Sequence, residues 1–314
     1  MKNKSIKFLL IIIIISLIGN SFLFFKLKQQ PWNIAFENAN SRDTYFTIHN
    51  VKQAQNISKG KGIKVGILDH YFGYASHKEL YSNCIDFLND SDSLNNISEH
   101  GYWMATTLKE IAPDCEIYGL NTIDSSDEDS KVTAIIKAID WAIENHVDIS
   151  TYSQPAISDK NRERFDEAVN KAIKNNIVTT FIHYDNPNNL WPDRMVSDDQ
   201  LEHGIREPDL NILHYDYNSL LLDSYTKYEK TKDGIRTGEN TPYLSISSTS
   251  VVTSGFVALL KSVNNTLSPN EYKDILKKTS SNIIFKNPYD LKESQCSRVA
   301  DIMKAITYIK ENYK

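Results

Sequence analysis

Ser248-Thr249-Ser250-Val251-Val252-Thr253-Ser254-Gly255-Phe256-Val257-Ala258-Leu259-Leu260 opens on hydroxyl side chains and runs into small and apolar ones. Hydroxyls at a helix start can accept from exposed backbone N–H groups. The small residues that follow suit a buried helix lying close against its neighbours. A serine at such a start would face the positive end of the helix dipole, with backbone donors at hand for a developing oxyanion. An ordinary capped core helix fits the same residues. What separates the two readings lies upstream, where an aspartate and then a histidine precede this serine.

Working outward, Gly62-Ile63-Lys64-Val65-Gly66-Ile67-Leu68-Asp69 reads as a short buried strand ending on a carboxylate. In an open parallel sheet, ligands bind at the carboxyl ends of strands. Glu99 to Leu108 predicts a helix with His100 near its start, and Ile117 to Leu120 a second strand. An amphipathic helix is predicted over Lys131 to Asn145, a strand over Val147 to Ser150, a helix over Arg162 to Asn175 and a strand over Ile177 to Ile182. This alternation argues for an α/β fold, a parallel sheet with helices on both faces. Residues 184–243, rich in Asp, Asn and Tyr, read as loops with one or two strands, around Leu210 to His214. Ser268-Pro269-Asn270-Glu271 is a capping-box start, and a last helix covers Val299 to Tyr313.

The chain has 314 residues, 40% hydrophobic and 24% charged, enough for a sizeable core. Its net charge of -5, without a basic block in the body, argues against nucleic acid as a partner. Lys2, Lys4 and Lys7 precede an apolar run from Phe8 to Phe25. At helical rise that run covers about 27 Å, close to the hydrocarbon thickness of a bilayer. It passes into Lys26-Leu27-Lys28 without an A-x-A-like cleavage site. The expected layout is a cytoplasmic N-terminus (1–7), a transmembrane signal anchor (8–25), a juxtamembrane segment (26–60) and a folded domain (61–314). A removed signal peptide is the other reading. The expected location is a single-pass cell-membrane protein with its body outside the cytoplasm. Cys84, Cys115 and Cys296 fit no metal motif and read as buried thiols, or as one bridge with a thiol left over.

From Lys61 onward the chain resembles the subtilisin-like serine proteases, the subtilases. The Gly62 to Asp69 strand is similar to the family strand that ends on its catalytic Asp, with His77-Lys78-Glu79-Leu80 following. Glu99-His100-Gly101 resembles the start of the catalytic-histidine helix, followed by Ile111-Ala112-Pro113 and Ile117-Tyr118. Trp141 to Ile149 resembles the helix and strand leading to the substrate-binding segment, and Ser248 to Ala258 the serine motif. The resemblance implies a subtilisin-like sheet and a membrane-anchored serine endopeptidase acting on peptides or proteins without a cofactor. Residues 61–314 would be its peptidase domain, monomeric by default. It further implies Asp69 as orienting carboxylate, His100 as general base and Ser250 as nucleophile. A serine hydroxyl needs an imidazole to take its proton, and the imidazole needs a carboxylate to hold its tautomer.

The chain departs from the family at each motif. His70-Tyr71 follows Asp69 in place of a small pair, and Tyr102-Trp103 follows His100-Gly101 in place of Thr-His. A gapless reading puts Asp185 at the oxyanion-hole position, and Asn186 reaches it with a one-residue shift. Ser153-Gln154-Pro155 stands in the substrate-binding segment, where the proline removes one backbone donor. No family calcium site is recognised, and the acidic loop Asp124–Asp129 reads as solvated. These departures sustain a second expectation: a catalytically impaired subtilase fold acting as a peptide-binding or accessory module.

Overall fold

The computed structural model describes residues 43–123, 127–154, 157–194, 198–202, 204, 206–212, 215–216, 243–244, 246–286 and 293–313. The proposed anchor and the first part of the juxtamembrane segment lie outside the described residues.

Five parallel strands form the central sheet: β1 (Lys64–Asp69), β2 (Asn83–Asp86), β3 (Glu116–Asn121), β4 (Ile149–Tyr152) and β5 (Val178–Phe181). Their order is β2-β3-β1-β4-β5. From β1 the chain passes to the edge at β2, comes back to β3 beside β1, then crosses to β4 and β5 on the other side. The order reverses at β1, so the carboxyl end of β1 opens into the crevice where such sheets bind ligands. Asp69 is its last residue, level with Asn121 of β3.

Alternating side chains build a core on each face, as period-two geometry requires. Val65, Ile67, Ile117, Ile149 and Val178 face α4 (His100–Ile111) and α8 (Ile246–Val263). Leu68, Leu120, Tyr152 and Phe181 face α5 (Glu128–Glu144) and α6 (Asp159–Lys174). The stretch quoted at the outset lies wholly inside α8, and every residue of it is buried. A Cβ on Gly255 would stand 2.5 Å from Ile111 Cγ2, so glycine there sets how closely α8 approaches α4. By length and composition α8 could cross a membrane, yet it is mostly buried within the body and is its core helix.

Residues 43–57, assigned to the juxtamembrane segment by the sequence reading, pack into this core. They form α1 (Asp43–Ile48) and α2 (Val51–Gln55), with Val51 and Ala54 fully buried. His49 Nδ1 bonds the Ala300 carbonyl at 2.7 Å, and the Ile302 amide donates back to His49 at 3.1 Å. Gln55 Nε2 donates to the Glu110 and Ile111 carbonyls at the end of α4. The folded body thus extends upstream of residue 61.

Short helices α3 (Ser91–Asn95) and α7 (Asp198–Glu202) lie between these elements. Strands β6 (Pro192–Arg194) and β7 (Leu210–Ile212), with the hairpin β10 (Ser281–Lys286) and β11 (Glu293–Val299), make a second sheet in the order β10-β11-β7-β6. Tyr215–Asp216 and Tyr243–Leu244 pair as the small strands β8 and β9. Helices α9 (Pro269–Thr279) and α10 (Ile302–Asn312) complete the body. The capping box is formed: Ser268 Oγ accepts from the Glu271 amide, and Glu271 accepts from the Ser268 amide at 2.7 Å. Cys84, Cys115 and Cys296 are buried and free.

Candidate active site

The site is assembled where β1 stops and α4 starts. An α-helix leaves its first backbone N–H groups without intrahelical partners, and here the residues after Asp69 supply them. Tyr71 O accepts from the Glu99 and Tyr102 amides at 3.0 and 3.2 Å, and His70 O accepts from Gly101 at 2.8 Å. A Cβ on Gly101 would meet His70 O at 2.5 Å. Tyr71 takes the left-handed backbone region, at φ 59°, to make this turn. For a bulky residue that conformation costs on the order of 1–3 kcal/mol and is characteristic of functional sites. The loop fastens the first turn of α4 to the end of β1 and sets His100 beside Asp69.

His100 Nδ1 lies 2.8 Å from Asp69 Oδ2 and 2.9 Å from Oδ1. The carboxylate is fully buried. It also accepts from the His70 amide at 2.9 Å and from Ser153 Oγ at 3.2 Å. Burial alone would raise the Asp69 carboxyl. The charge and hydrogen bond of His100, with the charge and amide of His70, outweigh it and leave Asp69 below its ordinary range. Ser153, expected to meet substrate, thus spends its hydroxyl on Asp69. Gln154 follows it, half-buried, at the exit of β4.

Ser250 enters from α8. Its hydroxyl donates to Ser247 O at 2.9 Å, one turn back, and the residue is fully buried. Because α8 begins at Ile246, Ser250 is the fifth residue of the helix, past the free N–H groups of its first turn. Its carbonyl accepts from Ser254 Oγ at 3.0 Å, which pairs with Thr180 Oγ1 at 2.7 Å. Ser247 reaches back toward the dyad, its Oγ 3.5 Å from the carbonyl of Ser153.

The loop after β5 carries Asp185 and Asn186. The Asp185 carboxylate is exposed and ion-paired with Arg206, and its carbonyl accepts from Arg162 at 3.3 Å. Both amide hydrogens of Asn186 are engaged on the α6 side, one by Asn170 Oδ1 at 3.1 Å and one by Tyr184 Oη at 3.2 Å. In this arrangement neither side chain has a free donor for an oxyanion. Two residues the sequence reading passed over shape the loop. Asn189, fully buried, bonds the amide and carbonyl of Phe181 and the carbonyl of Tyr184. Lys273 Nζ donates to the carbonyls of Pro187 and Asn189 at 2.9 and 2.8 Å. A run of asparagines from 186 to 189, broken by Pro187, gave no signal that the last would be the buried one. Among the described residues, no cluster of His, Cys, Asp and Glu could hold a metal ion.

Residues 60–182 match the model of the subtilase family of peptidases. That segment includes Asp69, His100 and Ser153. The fold is subtilisin-like. Among solved structures it resembles MycP1 with its N-terminal propeptide removed, at 14% identity and a TM-score of 0.56, over 84% of this chain and 96% of that one. It resembles MycP3, a protease from the type VII (ESX-3) secretion system, at 14% identity and a TM-score of 0.56, over 84% and 88% of the two chains. Fervidolysin from Fervidobacterium pennivorans, a keratinolytic enzyme related to subtilisin, matches at 15% identity and a TM-score of 0.55, over 82% of this chain and 44% of that one. No curated protein matches the chain. At such identities the shared feature is the subtilisin-like fold. The family match ends before the loop of Asp185 and Asn186 and before Ser250.

Proposed function

We propose that the chain is a serine endopeptidase that cleaves peptide bonds through an acyl-enzyme, with Asp69, His100 and Ser250 as its triad. The observation that carries this reading is the Asp69–His100 pair, at 2.8 Å, on the carboxyl end of β1. A Nδ1–H donated to Asp69 fixes the tautomer and leaves Nε2 as the base. In the proposed cycle, Ser250 Oγ exchanges the Ser247 carbonyl for His100 Nε2, gives up its proton and attacks the peptide carbonyl. His100 then passes the proton to the leaving amine, and water activated by His100 releases the acyl group. We place the body of this monomeric enzyme outside the cytoplasmic membrane, held by residues 8–25, with peptides or proteins as substrates. Incubating the full-length protein with an unstructured protein and mapping new termini by mass spectrometry tests this. Cleavage that vanishes in Ser250→Ala supports it; identical peptide maps for the two proteins refute it.

A second reading, a peptide-binding module without turnover, is favoured by a separate set of observations. Ser250 holds its hydroxyl on Ser247 and its amide within α8, and Asp185 and Asn186 are engaged elsewhere. Removing one oxyanion donor costs about 10²–10³ in rate, so a site without one would favour binding over turnover. Peptide capture by the wild type, undiminished in Ser250→Ala and unaccompanied by cleavage, is the outcome this reading expects.

A further inference from the structure

One buried carboxylate, Asp69, is faced by two imidazoles. His100 Nδ1 lies 2.8 Å from Oδ2, and His70 Nδ1 lies 3.5 Å from Oδ1. The rings are nearly parallel, 16° apart, with centroids separated by 5.9 Å. His70 Nδ1 is buried and has no hydrogen-bond partner among the described residues. Buried polar atoms in folded proteins nearly always have one, so a ring nitrogen left idle beside the buried Asp69 carboxylate calls for a role. The ring is held edge-on against Tyr71, with centroids 4.1 Å apart, on the loop that fastens α4 to β1.

Building on the peptidase reading, we propose that His70 is a positioning residue that sets the acid limit of the site. Neutral, it leaves Asp69 to His100. Protonated, it draws Oδ1 into an ion pair and takes from His100 the carboxylate that holds its tautomer. One carboxylate cannot serve two imidazolium rings 5.9 Å apart equally well, so their protons are taken up as a coupled pair. The charged groups acting on His70 are Asp69 at the end of β1 and Glu99 and His100 at the start of α4. Burial moves the His70 ring below its ordinary value, the charges of Asp69 and Glu99 oppose that, and His100 adds to it. The neutral ring is therefore the form present at neutral pH. A ring that only filled space would be replaceable by an amide of similar size without changing how the site responds to acid.

The test compares the wild type with His70→Gln, as full-length proteins in detergent, by the rate of labelling with a fluorophosphonate. Each rate is referred to its own plateau and followed from about pH 8 to about pH 4.5, across the histidine range. Two linked protons make the wild-type rate fall toward about 100-fold per pH unit at the acid end, against about 10-fold for His70→Gln. NMR of the two imidazoles in Ser250→Ala provides a readout independent of activity. The His100 ring is expected to titrate in two steps with His70 present and in one with His70→Gln. Should the glutamine variant not fold, the wild-type slope and the Ser250→Ala titration decide by themselves. Labelling with a one-proton slope and independent rings overturns the role of His70 and leaves the peptidase reading standing. A wild type that never labels, although its rings titrate as a pair, overturns the peptidase reading and leaves the shared carboxylate standing.

Discussion

Ser250 Oγ donates to the carbonyl oxygen of Ser247 at 2.9 Å, one helical turn back, while His100 is committed through Nδ1 to Asp69. The proposed nucleophile and base are thus held by separate elements, α8 and α4. The Asp69–His100 pair forms without the serine, and in the proposed cycle turnover depends on the serine changing partner. A serine hydroxyl moves about a single side-chain torsion among staggered wells, and that torsion is the one the proposed exchange turns.

The dependence on Asp69 can be isolated. Asp69→Asn keeps the size of the side chain but offers His100 a donor where it had an acceptor, favouring the wrong tautomer. By analogy with other triads kcat should fall by about 10⁴-fold. Steady-state kinetics on a cleaved peptide check this, with circular dichroism to establish that the variant is folded.

Gly101→Ala tests how the dyad is fastened. The new Cβ would stand 2.5 Å from His70 O, so the loop carrying His70 and Tyr71 must give way. Overpacking of this kind costs on the order of 1–3 kcal/mol. The urea midpoint should fall accordingly, and activity should fall further than stability because the displaced loop orients His100.

Acid should destabilise the protein in two stages. His70 in the fold lies below its ordinary 6.5, so the unfolded chain binds its proton more readily. Stability from this group is complete above that value and is lost as pH falls toward the folded value. Asp69 also lies below its ordinary 3.8, and its contribution disappears only at lower pH. Urea midpoints measured from neutral pH downward should fall first in the histidine range, and His70→Gln should remove that first stage.

The three thiols are free and buried, and burial pushes each of them up to about 12. A thiol reagent should therefore leave the native protein unmodified at neutral pH and titrate three groups after denaturation. A reducing agent should not move the melting temperature. Rapid modification of the native protein would contradict the burial.

Much of the fold was legible because β1, β3 and β5 are apolar runs bounded by turns, and because α5 and α6 carry an apolar stripe. The sequence reading ended β4 two residues early, since Val147 to Ser150 already alternates and Thr151-Tyr152 only extends it. The pairing of Asp69 with His100 was visible as a strand-end carboxylate ahead of a helix-start imidazole. The start of α8 was not. Ser247, Ser248 and Thr249 offer successive hydroxyls, so no one residue marks the cap, and the helix begins at Ile246, placing Ser250 one turn inside. Residues 51–57 show some helical character in the sequence, but the Asp43–Ile48 helix and the packing of both into the core were missed, because they are short and owe their burial to the C-terminal segment, a distant partner in sequence. The β10–β11 hairpin was missed because Glu293 to Val299 is mostly polar and only half-buried. His70 registered only as a departure from the family, and its place between Tyr71 and His100 required coordinates.

Fluorophosphonate labelling of the full-length protein, with the modified residue mapped by mass spectrometry, tests the central claim most directly. The expected result is a single adduct on Ser250, formed at neutral pH and absent from Ser250→Ala and Asp69→Asn. A folded protein that takes up no label, or an adduct on Ser247 in its place, would contradict it.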